Sequence, residues 1–118
     1  MNQAAQPADL DEVIVLLTLQ FKPGSAAKVL ERMVPSVRIT RTEPGNNDFQ
    51  LFKVNGSEDK VIVFERWKSQ AALEWHWEQP YTKEALALFN EYLVAPLLDA
   101  KDVLHLTDEM KRSEQELV

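Results

Sequence analysis

Apolar residues crowd almost every position from Glu12 to Phe21. Val13, Val15, Leu17, Leu19 and Phe21 alternate onto one face; Ile14, Leu16, Thr18 and Gln20 take the other. This predicts a strand whose two faces are both apolar at its start, and therefore covered on both sides. Lys22-Pro23-Gly24 reads as a turn, and Ser25 can cap the helix that follows. Ala26, Leu30, Met33 and Val37 then recur at helical spacing, opposite Lys28, Glu31, Arg32 and Arg38. Pro35 lacks an N–H and predicts a kink or break in that helix. Glu43-Pro44-Gly45-Asn46-Asn47 makes a turn, with the asparagines serving its geometry.

A second strand is expected from Asp48 to Val54, with Phe49, Leu51 and Lys53 facing away from Gln50, Phe52 and Val54. Asn55-Gly56-Ser57-Glu58-Asp59 is a hairpin connection, because Asn-Gly supplies positive φ at little cost. Lys60 to Trp67 is the third strand. Gln70 to Glu78 forms a short helix stopped by Pro80, and Tyr81 to Val94 a longer one with Ala85, Phe89 and Tyr92 inward and Pro96 beyond it. Asp102 to Thr107 alternates as a fourth strand.

The order is β-α-β-β-α-α-β. Without the short helix it is the ferredoxin-like split βαβ plan, an α+β fold with a four-stranded antiparallel sheet. Helices cover one face of such a sheet, so the apolar second face of the first strand calls for a second subunit, and a homodimer is expected. Residues 1–10 read as a disordered leader, 11–107 as the domain, and 108–118 as a charged tail or frayed helix.

One domain fits 118 residues, and a chain this short gains from oligomerisation. The net charge of −6 comes without a Lys/Arg cluster, which argues against nucleic acid and against an anionic membrane surface. With no cysteine there is no disulfide, thiolate nucleophile or zinc–thiolate site. Three glycines form no phosphate loop, and two well-separated histidines make no convincing metal site. The N-terminus lacks the basic and apolar regions of a signal peptide, and Val13–Leu17, the longest apolar run, cannot span a bilayer. A cytoplasmic location is the default expectation.

Candidate chemistry gathers where the third strand meets the short helix. Glu65, Trp67, His76, Trp77 and Tyr81 all belong to this corner. His76 suits a general base, since imidazole titrates near neutrality; its competing reading is a histidine bonded into the structure. Trp67 and Trp77 can wall a pocket for a flat ligand, or simply pack the core. Glu65 shares a strand face with Val63 and Trp67, and can orient His76, act as a base, or pair across the sheet with Lys53. Tyr81 can donate to a ligand oxygen or cover a rim. His105, on the last strand, reads as packed or partly exposed rather than catalytic.

Several segments together resemble the antibiotic biosynthesis monooxygenase family of dimeric α/β-barrel proteins. They are Lys22-Pro23-Gly24, Glu43-Pro44-Gly45, Phe64-Glu65-Arg66-Trp67, and Ala72-Leu73-Glu74-Trp75-His76 followed by Pro80. The resemblance spans roughly Val13 to Leu106 and implies one pocket per subunit, between sheet and helices. It also implies a cofactor-independent oxidation of a small phenol or quinol, needing neither metal nor flavin, in which the deprotonated substrate hands an electron to oxygen. His76 would then be the base, Glu65 its orienter, Trp67 and Trp77 the walls and Tyr81 a donor. The sequence departs from the family in carrying Tyr81 where a second histidine often follows the proline. It also departs from the haem-degrading branch, with Leu17 in place of an asparagine and no histidine from Tyr81 to Val94. A non-catalytic ligand-binding module and an isomerase remain rival readings on this fold.

Overall fold

A computed structural model describes residues 11–95 and 103–117. Eight elements follow in order: β1 (Val13–Gln20), α1 (Ala26–Thr40), β2 (Asn46–Lys53), β3 (Lys60–Trp67), α2 (Gln70–Trp77), α3 (Pro80–Tyr92), β4 (Val103–Leu106) and α4 (Glu109–Leu117). The strands form one four-stranded sheet in the order β2-β3-β1-β4, antiparallel throughout. This is the ferredoxin-like arrangement the alternation predicts. The expected leader and Pro96 lie outside the described residues.

Register decides which side chains meet. Val13 faces Trp67, Val15 faces Glu65 and Leu17 faces Val63 across β1 and β3, while Phe49 faces Glu65 across β2 and β3. These residues lie on the face that the helices cover. Val15, Leu19, Phe21, Val61, Val63 and Trp67 pack there against Val29, Met33, Leu73, Leu88 and Phe89. A large apolar side chain removed from water at such a position contributes about 1.5–3 kcal/mol, so this layer is the main source of stability. The end of α3 is tied to the end of β1, because Lys22 N–H donates to Tyr92 O and Val94 N–H to Gln20 O.

Two local expectations are corrected. Pro35 does not break α1, which runs unbroken from Ala26 to Thr40. The proline is on the exposed side of the helix, where water can serve the carbonyl it leaves without a partner. Ser25 stands at the helix start but its side chain does not cap it; its hydroxyl donates to Lys22 O at 2.7 Å. The cap comes instead from Asp59 in the distant hairpin, whose carboxylate accepts from Gly24 N–H at 3.0 Å and Ala26 N–H at 3.1 Å. Gly24 and Gly56 hold positive φ, at 78° and 86°, in the two turns.

The other sheet face is partly covered by the chain itself. Arg66, pointing away from the helical layer, pairs with Glu12 at 2.9 Å and Asp108 at 2.8 Å, and Lys111 adds a contact to Glu12 at 3.3 Å. These bonds hold the start of α4 beside Ile14, which is buried. Of the two readings of this segment, tail or frayed helix, the helix is the one formed, and it is docked at its beginning. Further along the same face Phe52, Leu104 and Leu106 remain 52%, 49% and 39% exposed.

Candidate active site

The inward face of β3 delivers two of the site residues. Period-two alternation buries Val61, Val63, Glu65 and Trp67 together. Trp67 is fully buried, and its indole N–H donates to Glu65 Oε1 at 3.0 Å. The sheet partners of Glu65 are Val15 and Phe49, while Lys53 stands opposite Val61, so no cross-strand ion pair forms. Burial pushes the Glu65 carboxyl up to about 7; the Trp67 hydrogen bond opposes the rise, and the negative charge of Glu43 adds to it.

The short helix α2 begins at Ser69, whose hydroxyl accepts from Ala72 N–H at 3.1 Å. Its buried side holds Leu73 and His76. The His76 ring lies over Trp67, with centroids 4.6 Å apart and planes inclined by 35°, and has Phe49 at 5.9 Å. His76 Nδ1 is 2.7 Å from Glu43 Oε2 and 3.3 Å from the Thr82 hydroxyl. An ionised carboxylate only accepts, so Nδ1 carries the proton in this bond and Nε2 is left with its lone pair or a second proton. Tyr81, just inside α3, donates its hydroxyl to the same Glu43 Oε2 at 2.5 Å. Burial, followed by this hydrogen bond and the carboxylate's charge, raises the Tyr81 phenol well above its ordinary range, so it remains a protonated donor. Glu43 Oε1 is buried and has no hydrogen-bond partner among the described residues.

Local backbone geometry explains why a glutamate from a surface turn reaches this depth. After α1 the chain tightens through Glu43 N–H to Thr40 O and Asn46 N–H to Glu43 O, both at 3.0 Å. Gly45 then presses against α2. Its carbonyl accepts from Lys68 N–H at 2.9 Å, and a Cβ at this position would stand 2.5 Å from Ala72 Cβ. Only glycine permits this approach, and the approach carries Glu43 over His76.

The structure thus brings Glu65, Trp67, His76 and Tyr81 together, and adds Glu43 and Thr82, which the sequence reading did not single out as site residues. Two expected roles change. Glu65 does not orient His76, because its bond goes to Trp67; the group bonded to the imidazole is Glu43. Trp77 does not wall this cluster: it is 46% exposed, one helical position (about 100°) round from His76. Trp75 and His105 are also exposed. Glu43 looked like a turn residue, and the one signal for its role was the glycine two positions on, whose tight contact becomes visible only in three dimensions.

Beside the cluster, α1 and α3 enclose a cleft of about 290 Å³, lined among others by Arg32, Met33, Ile39, Tyr81 and Leu88. Tyr81 belongs to both, lining the cleft and donating its hydroxyl to Glu43. Among the described residues no group of three or more His, Asp or Glu is placed to hold a metal ion, and no helix is long and apolar enough to cross a membrane.

Fold and site together define a small α+β domain with a buried acid–imidazole pair, joined by a half-buried phenol to a cleft between two helices. Residues 12–88 match the antibiotic biosynthesis monooxygenase family, and the chain belongs to that family. The Bacillus subtilis protein named "Putative monooxygenase YcnE" is 29% identical over 85 residues, covering 72% of this chain and 90% of that one. A conserved protein from Methanosarcina mazei Go1 superposes with a TM-score of 0.74 at 18% identity, covering 84% of this chain and 94% of its own. Rv0793 from Mycobacterium tuberculosis gives 0.70 at 23% identity, covering 81% and 93%. These two structures share the fold.

Proposed function

We propose that the protein is a homodimeric, cofactor-independent monooxygenase that oxidises a small, flat phenol or quinol with O2. The observation that carries this reading is the Glu43–His76–Tyr81 cluster, buried at its carboxylate and imidazole, in which a carboxylate fixes the imidazole by Nδ1 and leaves Nε2 for a substrate proton. A phenol is a poor reductant of oxygen, and its anion a good one. Proton removal is therefore the step the protein has to supply.

In this reading His76 Nε2 takes the proton of a substrate hydroxyl, and Glu43 stabilises the imidazolium that results. The substrate anion gives one electron to O2, and the two radicals combine to form a carbon–oxygen bond. The imidazolium returns its proton to the outer peroxide oxygen; the imidazole then takes the C–H proton of the oxygenated carbon, whose electron pair forms the carbonyl as the O–O bond breaks, and the departing hydroxide takes that proton up as water. One oxygen atom stays in the product, and the other leaves as water with two hydrogens taken from the substrate. Trp67 supports the imidazole from one face, and Tyr81 serves as a donor at the border of the cleft. The dimer is supported by the exposed apolar side chains Phe52, Leu104 and Leu106 on the sheet face opposite the helices.

Oxygen uptake by metal-free protein against a panel of hydroquinones and polycyclic phenols tests the proposal. Uptake above the autoxidation blank is expected, and its loss is expected in His76→Ala. A fully active His76→Ala variant would sink the assignment of the base.

A further inference from the structure

The proposed base is shut away from the cleft in which a ligand has room. Resting on the reading of His76 as that base, we infer that Tyr81 is the gate between the two: its ring closes His76 off from the α1–α3 cleft, and rotation of the ring joins them. His76 is 5% exposed, and neither it nor Glu43 lines the cleft. Trp67 and Phe49 stand against its ring, Glu43 and Thr82 against its Nδ1, and all four are buried. Tyr81 is the exception. It is half-buried, its ring centre is 6.3 Å from that of the imidazole, and it alone of the cluster lines the cleft. The way from cleft to imidazole that displaces the fewest buried groups therefore passes through the Tyr81 ring.

The backbone that carries the ring can stay still while it turns. Thr82 N–H and Lys83 N–H both donate to Gln79 O, at 3.1 and 3.0 Å, and the buried Thr82 side chain pins the same turn. Tyr81 does not belong to the apolar core, so its rotation leaves that layer packed. The latch is the hydroxyl, which holds the ring shut by donating to Glu43 Oε2. A hydrogen bond to a charged acceptor favours the closed ring by about tenfold to a hundredfold. His76 keeps its own bond to Glu43 when the ring turns, so the imidazole stays oriented while Nε2 is uncovered.

Carbethoxylation by diethyl pyrocarbonate reads this access without turnover. The reagent acylates a neutral imidazole nitrogen, and at about pH 8 an ordinary imidazole is neutral. The chain has two histidines, and the exposed His105 serves as internal standard. Peptide mass spectrometry of the full chain should show His76 reacting at least about tenfold more slowly than His105, the scale of the latch. Tyr81→Ala should remove most of that difference, and Tyr81→Phe, which loses only the latch, part of it. Ala85 lines the cleft one turn further along α3. Helical side chains lean toward the N-terminus, so Ala85→Phe added to Tyr81→Ala should fill the gap and slow His76 again. Exposure by general unfolding would not be slowed in this way. His76 as reactive as His105 in wild type, a rate unchanged in Tyr81→Ala, or no renewed protection in the double variant would overturn the gate. Gated reactivity without oxygen uptake would refute only the oxidation reading. Oxygen uptake with an ungated His76 would refute only the gate.

Discussion

Replacing Glu65 by Gln removes one ionisable proton from the core and changes almost nothing else. The amide oxygen can still accept from the Trp67 indole, and the side chain keeps its volume. In the folded protein the Glu65 carboxyl titrates at about 7, against 4.5 for the free group. Between those values the folded state holds a proton that the unfolded state has released, so wild-type stability falls as pH rises through this window. The slope is about 1.4 kcal/mol per pH unit, which gives about 3 kcal/mol across the window. Glu65 is 93% or more buried on the sheet's covered face, so solvent screening does little to reduce this figure. The variant lacks the dependence. Urea unfolding of both proteins at pH 4.5, 5.5, 6.5 and 7.5, at one fixed protein concentration, reads the effect together with its coupling to Glu43, since groups that do not interact with Glu65 cancel in the difference. The variant should gain on wild type by about 3 kcal/mol from the acid end to the alkaline end, or roughly one to three molar in urea midpoint. A difference that stays flat with pH, or that favours wild type as pH rises, would refute the buried position of Glu65 without a cationic partner.

Other consequences concern the elements that frame the site. Gly45→Ala should destabilise the fold by about 1–3 kcal/mol through overpacking against Ala72, and the loss should shrink when Ala72→Gly is combined with it; chemical denaturation of the four proteins reads the coupling. Asp59→Ala should lower the thermal midpoint, because α1 loses the cap that Ser25 does not supply. Backbone N–H groups hold the Asp59 carboxyl below its ordinary range, so this difference from wild type should fade as pH falls through that lowered value. Glu12→Ala should release the start of α4, seen as faster amide exchange in Glu109–Leu117 with the sheet unchanged.

The fold was legible in the sequence because strands and helices here follow simple periodicities. The alternation of β3 and the helical spacing of α1 identify both elements and the faces they bury. Polar partners over long sequence distances were not legible. The Asp59 cap lies 33 residues from Ala26, and Glu43 is 33 residues from the histidine it holds. Neither leaves a local trace, since Asp59 resembles a hairpin residue and Glu43 a turn residue. Glu65 and His76 both fall in the corner by sequence, but they bond to Trp67 and Glu43 and not to each other. Strand alternation shows that Glu65 points inward, but not that the Trp67 indole reaches it first. Trp77 shows the converse error, where an aromatic beside a site residue in sequence is turned to solvent by the helix.

The most direct test of the monooxygenase reading is a reaction under 18O2 with metal- and flavin-free protein and a quinol that supports oxygen uptake. One labelled oxygen atom in the product and one in water, with no hydrogen peroxide released, is the result expected. Product without label, or peroxide formed in step with oxygen consumed, would contradict it.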